Sequence, residues 1–273
     1  MPTIQPPFGY RALKPLNRND HVRLLAAGEM PPFARESQIV PLSYSEITVA
    51  AWHYPVIFVP DETTGGHTMA ALVGLDRKRN AFRREIDGEK SGWDSEAYVP
   101  AYLRRYPFCM ATVTIGNQTD RDLMVCVESA HTRNDPVDGA IRLFDAEGKP
   151  LPQWGAIEAF LKEYEADLQG SRAFVAELNE LGLLEPFTAN VVRPDGTQQS
   201  LAGLVRVDEA KLSALDMETV ARLHRNGYLG RIYIHLFSLQ RFRDLLSREG
   251  RQAAMPQPAP VVQGADSIAV AAG

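Results

Sequence analysis

The residues best equipped for chemistry lie in one run, Tyr98-Val-Pro-Ala-Tyr102-Leu-Arg104-Arg105-Tyr106-Pro107-Phe108, with three tyrosines, two arginines and two prolines in eleven positions. The chemistry this offers is recognition. Aromatic faces and guanidinium forks contact carboxylates, phosphates and other rings, while proline stiffens the backbone that carries them. The run contains no nucleophile, general base or metal ligand of ordinary pattern. Arg104 and Arg105 are neighbours, so they face different ways in a helix or a strand; one can pair internally while the other meets an anion. A second aromatic entry, Trp52-His53-Tyr54-Pro55, leads into an apolar run just as Tyr106-Pro107 does, and the two could flank one groove. His235 lies within the apolar stretch Ile232-Tyr-Ile-His-Leu-Phe-Ser-Leu239. There it is either a buried imidazole bonded to backbone or tyrosine, or a ligand contact.

Elsewhere the reactive patterns are missing. The six histidines, His21, His53, His67, His131, His224 and His235, include no pair spaced i+2 to i+5 and no His-Glu-x-x-His unit, so no metal is expected. His131 with Asp135 is the nearest approach to a metal pair, and a solvated loop explains it equally well. There is no Gly-x-x-x-x-Gly-Lys, no Gly-x-Gly-x-x-Gly after a strand and no Gly-x-Ser-x-Gly. No cofactor is expected. Asp61 with Glu62, or Glu128 with Asp135, are carboxylate pairs only in the sense that any acidic loop holds them. Cys109 and Cys126 lie in apolar runs and read as small buried thiols, although a disulfide is geometrically open if the runs are adjacent strands.

Composition narrows the classes further. The chain has 273 residues, 45% hydrophobic and 23% charged, enough for a self-sufficient core. A net charge of −5, with arginines in short pairs such as Arg83-Arg84, argues against nucleic acid as a partner. The N-terminus lacks the pattern of a cleaved signal, and no apolar run approaches the roughly 20 residues that span a bilayer. A cytoplasmic location without membrane insertion is expected, with signal-independent export open.

These residues must be positioned by an α+β architecture, a mostly antiparallel sheet from the N-terminal half packed against helices of the C-terminal half. Residues 1–38 hold six prolines and read as an extended arm with at most a short helix around Asp20 to Ala27. Residues 39–249 read as a single domain, and residues 250–273, with neither period nor aromatics, as a disordered tail. Strands are expected at Ile39–Leu42, Val56–Val59, Met69–Leu75, Phe108–Ile115, Leu123–Val127 and Ile141–Phe144. One helix is expected over Tyr44–His53. The stripe Ile157, Phe160, Leu161, Tyr164, Leu168, Val175 and Leu178 predicts one amphipathic helix over 152–181, or two broken near Gly170-Ser171. Asp195-Gly196 predicts a hairpin between Phe187–Val192 and Gln198–Leu204. Helices over Asp208–Leu215, Met217–His224 and Leu229–Leu246 follow, with Gly227 stopping the second.

The chain resembles the bacterial SapC family. The resemblance runs through Tyr54–Val59, Tyr98–Phe108, Leu143–Gly148, Arg172-Ala-Phe174, Leu181–Pro186, Gly203–Glu209 and Ile232–Leu239, covering roughly residues 15–246. It carries no catalytic residues over onto this chain. The family name implies an association with surface layers. Similar proteins are often encoded beside flavin-dependent halogenase-like enzymes, cupin-like or JmjC-like oxygenases and TonB-dependent receptors, which implies an accessory role in nutrient or peptide handling.

The leading expectation is therefore a non-enzymatic binding or accessory protein that holds a small ligand, a peptide or a partner enzyme through Tyr54, Tyr98, Tyr102, Arg104, Arg105, Tyr106 and His235. The partner enzyme would be halogenase-like. Two alternatives stand beside it. One is a surface-layer structural protein; the other is an enzyme of unrecognised type using His235 with Tyr102, Tyr106 or a carboxylate of the Glu128–Asp138 loop.

Overall fold

The structure is a computed structural model that describes residues 4–61, 65–87, 90–115, 118–119, 123–133, 139–193 and 196–254. Of the expected tail 250–273, residues 250–254 instead continue a helix that begins at Arg241, and the rest of it, with Glu62, Asp135 and Asp195, lies outside the described residues.

The fold is α+β, as the sequence patterns require. In chain order it begins with β1 (Leu13–Pro15), β2 (His21–Arg23), β3 (Ile39–Pro41), α1 (Ile47–Ala50), β4 (Val56–Asp61) and β5 (Gly66–Leu72). Next come β6 (Arg83–Asp87), β7 (Lys90–Trp93), α2 (Ala101–Arg104), β8 (Phe108–Ala111), β9 (Thr114–Ile115), β10 (Gln118–Thr119) and β11 (Met124–Glu128). Then follow β12 (Thr132–Arg133), β13 (Ala140–Arg142), the long α3 (Pro152–Glu180), β14 (Leu184–Val192) and β15 (Gln198–Val207). Four helices close the chain: α4 (Glu209–Ser213), α5 (Met217–Arg225), α6 (Tyr228–Ser238) and α7 (Arg241–Ala254).

The largest sheet has five strands in the order β14-β15-β4-β5-β3, and its pairings are antiparallel. The β14–β15 hairpin joins the N-terminal strands by pairing Val205 with Phe58. Smaller sheets, β1-β11-β8 and β12-β2-β13, lie over the first turns of α3. There Val22, Phe108, Val127, Leu143, Trp154 and Leu161 form a second, small core. α3 runs as one helix through Gly170-Ser171 and serves both cores, with Trp154 and Leu161 in the small one and Tyr164, Phe174 and Leu178 in the large one. Tyr44 packs against the helix at Gly170, where a Cβ would lie 3.5 Å from it in ordinary contact. Phe174, fully buried between the rings of Tyr44 and Tyr228, contributes roughly 2–3 kcal/mol by burial alone.

The N-terminal segment differs from the expected extended arm. β1 and β2 are paired strands, Tyr10 is buried, and its hydroxyl donates to the Phe108 carbonyl at 2.7 Å. The physical reason is mutual satisfaction. Glu128 is buried, and a buried carboxylate needs donors; the Arg11 and Ala12 N–H groups supply them at 2.9 and 3.0 Å. The short helix expected near Asp20 is replaced by a turn, because the Asp20 carboxylate takes Lys14 Nζ and the Asn17 N–H and β2 starts at once. The helix expected over Tyr44–His53 shrinks to α1. The stretch expected over Leu229–Leu246 breaks after Ser238 into α6 and α7, which lets Arg248 reach Asp94 and Glu249 accept the Leu75 N–H.

Cys109 and Cys126 face each other across β8 and β11 as register partners, and both are buried free thiols. Burial pushes Cys109 up to about 12 and Cys126 up to about 11, so neither supplies thiolate at neutral pH. An aromatic disulfide reagent should therefore leave both thiols unmodified over minutes in the folded protein and label both in urea. Prompt labelling of the folded protein would show that this sheet opens.

Candidate functional site

A cleft of about 430 Å³ lies where the two cores meet. One wall is the recognition-rich run, through Val99, Leu103 and Tyr106. A second is the loop of residues 24–31, and a third is the face of α3 bearing Ile157 and Phe160. Trp93 and Phe108 line the buried side, and Arg84 and Arg104 stand exposed at the rim.

Each wall is placed by identifiable local chemistry. The 24–31 loop docks on β7, with Trp93 N–H to Gly28 O at 3.1 Å and Met30 N–H to Ser91 O at 2.9 Å. Position 92 must be glycine for this approach, since a Cβ there would meet Gly28 O at 2.7 Å. The recognition run is anchored by Glu46, a buried residue that the sequence reading did not select. Its Oε2 accepts the Ser43 N–H and hydroxyl at 2.9 and 2.7 Å, while its Oε1 accepts the Tyr98 hydroxyl at 2.8 Å and the Ala101 N–H that opens α2. The Ser43-Tyr-Ser-Glu46 spacing has the sequence form of a capping box, which was the available signal, although Glu46 itself precedes α1 and only its carboxylate bonds back to Ser43. Nothing in the sequence marked Trp93 or the 24–31 loop as cleft residues.

The tyrosines of the run are largely structural. Tyr102 is buried and its hydroxyl donates to Phe8 O; Tyr106 is buried against Tyr10, Phe33 and His131. Tyr54 is fully buried and off the cleft lining. Its hydroxyl donates to Tyr98 O and accepts the Trp93 indole N–H, so it braces two cleft segments from behind. Tyr98 is half-buried. Burial, reinforced by the Glu46 carboxylate, pushes its phenol up to about 12, so it remains protonated and donates.

Arg104 and Arg105 face different ways. The Arg105 guanidinium is buried among the rings of Tyr102, Tyr164 and Tyr10, at 4.3, 4.9 and 5.5 Å, with Glu165 at 3.7 Å. Arg104 is exposed. Its Nε and Nη2 donate to Val99 O and the Tyr98 hydroxyl at 3.1 and 3.0 Å, and the rings of Phe160 and Tyr98 flank it at 5.1 and 5.6 Å. Arg105 and Tyr106 are thus parts of the fold, and Arg104 is the exposed arginine of the pair.

His235 stands apart from this cleft. Its Nε2 accepts the Val207 N–H at 3.1 Å, so the proton sits on Nδ1 and is donated to Val56 O at 2.9 Å. Val205 pairs with Phe58, so two positions further along the antiparallel register Val207 would face Val56; the imidazole bridges them. Ser238 on the same helix accepts the Val56 N–H at 2.9 Å. Burial holds His235 at about 4, well below the usual imidazole range. Both nitrogens are committed to backbone, so His235 has no free nitrogen to act as acid or base beside Tyr102 or Tyr106. Glu128 is likewise occupied by the Arg11 and Ala12 N–H groups. Among the described residues, no three His, Cys, Asp or Glu side chains gather as a metal cluster would, and no helix is long and apolar enough to cross a membrane.

Fold and site together define an α+β protein whose recognition-rich segment walls an apolar cleft rimmed by arginine. The chain belongs to the SapC family, whose family model matches residues 16–245. No curated protein and no solved structure matches it.

Proposed function

We propose that the protein is a binding or accessory protein that holds a small, largely apolar ligand in the cleft between the Tyr98–Phe108 wall, the 24–31 loop and α3. One observation carries this reading: the densest recognition chemistry in the chain is spent on building a cleft of about 430 Å³, within the size range of small-molecule sites. The rim acids are already engaged. Asp94 is ion-paired with Arg248; burial pulls its carboxyl upward, but the Glu96 N–H and Arg248 outweigh that and hold it below the usual range. Glu29 accepts the Ala26 N–H at 3.0 Å. A holding role beside an oxidising enzyme, such as a halogenase-like flavoprotein, fits the company that SapC-like proteins keep.

The test uses a neutral apolar reporter, N-phenyl-1-naphthylamine, whose fluorescence rises in dry pockets. The intact protein should bind it saturably, and Phe160→Ala should weaken binding about tenfold, equivalent to about 1.4 kcal/mol of lost ring contact. Saturable binding that Phe160→Ala leaves unaltered would place the reporter elsewhere and sink the assignment to this cleft.

A further inference from the structure

The rim of the cleft is electrically uneven. Of its four exposed or half-buried charged side chains, the two acids each have an arginine outside the cleft: Arg23 lies 4.0 Å from Glu29, and Arg248 holds Asp94. The two cations differ. Arg84 lies in the field of the Asp94 carboxylate and donates a 3.4 Å bond to Ser95 Oγ, while Arg104 makes no ion pair among the described residues. Arg104 is also held in place. With Nε and Nη2 fixed on Val99 O and the Tyr98 hydroxyl, and with Phe160 and Tyr98 beside its plane, it keeps the Nη1–Nη2 edge for a partner. That edge matches the two oxygens of a carboxylate, and a guanidinium held against rings gives up little rotamer freedom on binding. Next to it lies an apolar interior of Leu103, Phe160, Ile157 and Trp93.

We infer that the ligand of this cleft is an apolar carboxylic acid, bound as its anion, with the hydrocarbon or aryl body between α2 and α3 and the carboxylate on Arg104. The inference rests on the binding role proposed above and adds the chemical class. Arg104 is then the selectivity determinant. A neutral analogue would fill the same space without the charge-assisted pair, and a dianion would leave part of its charge unmatched at a single guanidinium edge.

Two matched fluorescent probes test this on the full chain at pH 7.5 and low salt: 11-(dansylamino)undecanoic acid and its methyl ester. The acid should bind at least tenfold tighter than the ester. Arg104→Gln should erase that preference while ester binding persists, and Arg104→Lys should restore part of it. Added salt should weaken the acid in the intact protein and leave the ester unaffected, a readout independent of any variant's folding. Equal binding of acid and ester by the intact protein overturns the carboxylate assignment and leaves the cleft in place. A preference that survives in folded Arg104→Gln overturns the role of Arg104. Failure of both probes overturns the cleft reading together with this one.

Discussion

Glu46→Gln is expected to lower the free energy of unfolding by about 3 kcal/mol, read as a fall in the urea midpoint at unchanged m. Glu46 is buried and accepts four hydrogen bonds, two on each carboxylate oxygen, from Ser43 N–H and hydroxyl and from Tyr98 hydroxyl and Ala101 N–H. Glutamine keeps one acceptor oxygen and turns an NH2 group toward two of those donors. Two charge-assisted bonds are lost, each worth about 1.5 kcal/mol or more, and two buried donors face another donor. The damage should not stay local. The Tyr98 hydroxyl is shared between Glu46 and Arg104, so the variant frees the phenol to rotate and Arg104 loses its fixed partner. Tyr98→Phe alone should cost about 1 kcal/mol, and the double variant should show a coupling of about 1 kcal/mol with Glu46→Gln. An unmoved midpoint in Glu46→Gln, or strict additivity with Tyr98→Phe, would remove Glu46 as the anchor of the cleft wall.

His235→Asn should destabilise the fold by about 2–3 kcal/mol at pH 7.5 and flatten its response to acid. The Asn side-chain amide reproduces the donor to Val56 O but not the acceptor for the Val207 N–H, so one buried N–H is left unpaired, which costs about 1–3 kcal/mol. Lost packing on the Phe58 ring, 4.9 Å from the imidazole, adds to this. The acid response follows from the neutral imidazole. In the fold His235 titrates at about 4, against 6.5 for a free side chain, so between those values the unfolded chain binds a proton that the folded chain refuses. The contribution of neutral His235 is complete above about pH 6.5, falls as the pH drops, and is exhausted near pH 4. At about 1.4 kcal/mol for each tenfold step it amounts to about 3 kcal/mol, of which about 2 kcal/mol is gone at pH 5. Urea unfolding of both proteins at pH 7.5 and 5 measures the difference. Parallel losses in the two proteins would show that His235 is not the titrating group.

These two residues show why function was harder to read than fold. The 3.6-residue stripe of α3, the apolar runs that became β4, β5, β8 and β11, and the stop at Gly227 are local patterns, visible wherever side chains repeat at a helical or strand period. The density of tyrosine and arginine in Tyr98–Phe108 was equally visible, and it did mark a cleft wall. Its division of labour was not. Tyr102, Tyr106 and Arg105 turned inward and Arg104 outward because Tyr10 and Phe33, about seventy to ninety residues earlier, and Glu165, sixty later, supply the packing and charge that bury them. The proline-rich first 38 residues read as an arm because their strand partners, β11 to β13, lie a hundred residues away and no local period announces the pairing.

By itself the sequence determined the α+β class, the positions of the main helices and strands, the family, and the run in which recognition chemistry is concentrated. Each of these depends on residue types at short spacing, where periodicity and local propensity act. Tertiary structure alone decided that the cleft forms, that the 24–31 loop and α3 complete it, that Glu46 anchors it, that His235 bridges β4 and β15, and that Arg104 is the arginine left facing outward. Those outcomes depend on which distant groups satisfy a buried charge or backbone N–H, and burial exists only once the whole chain has closed around it.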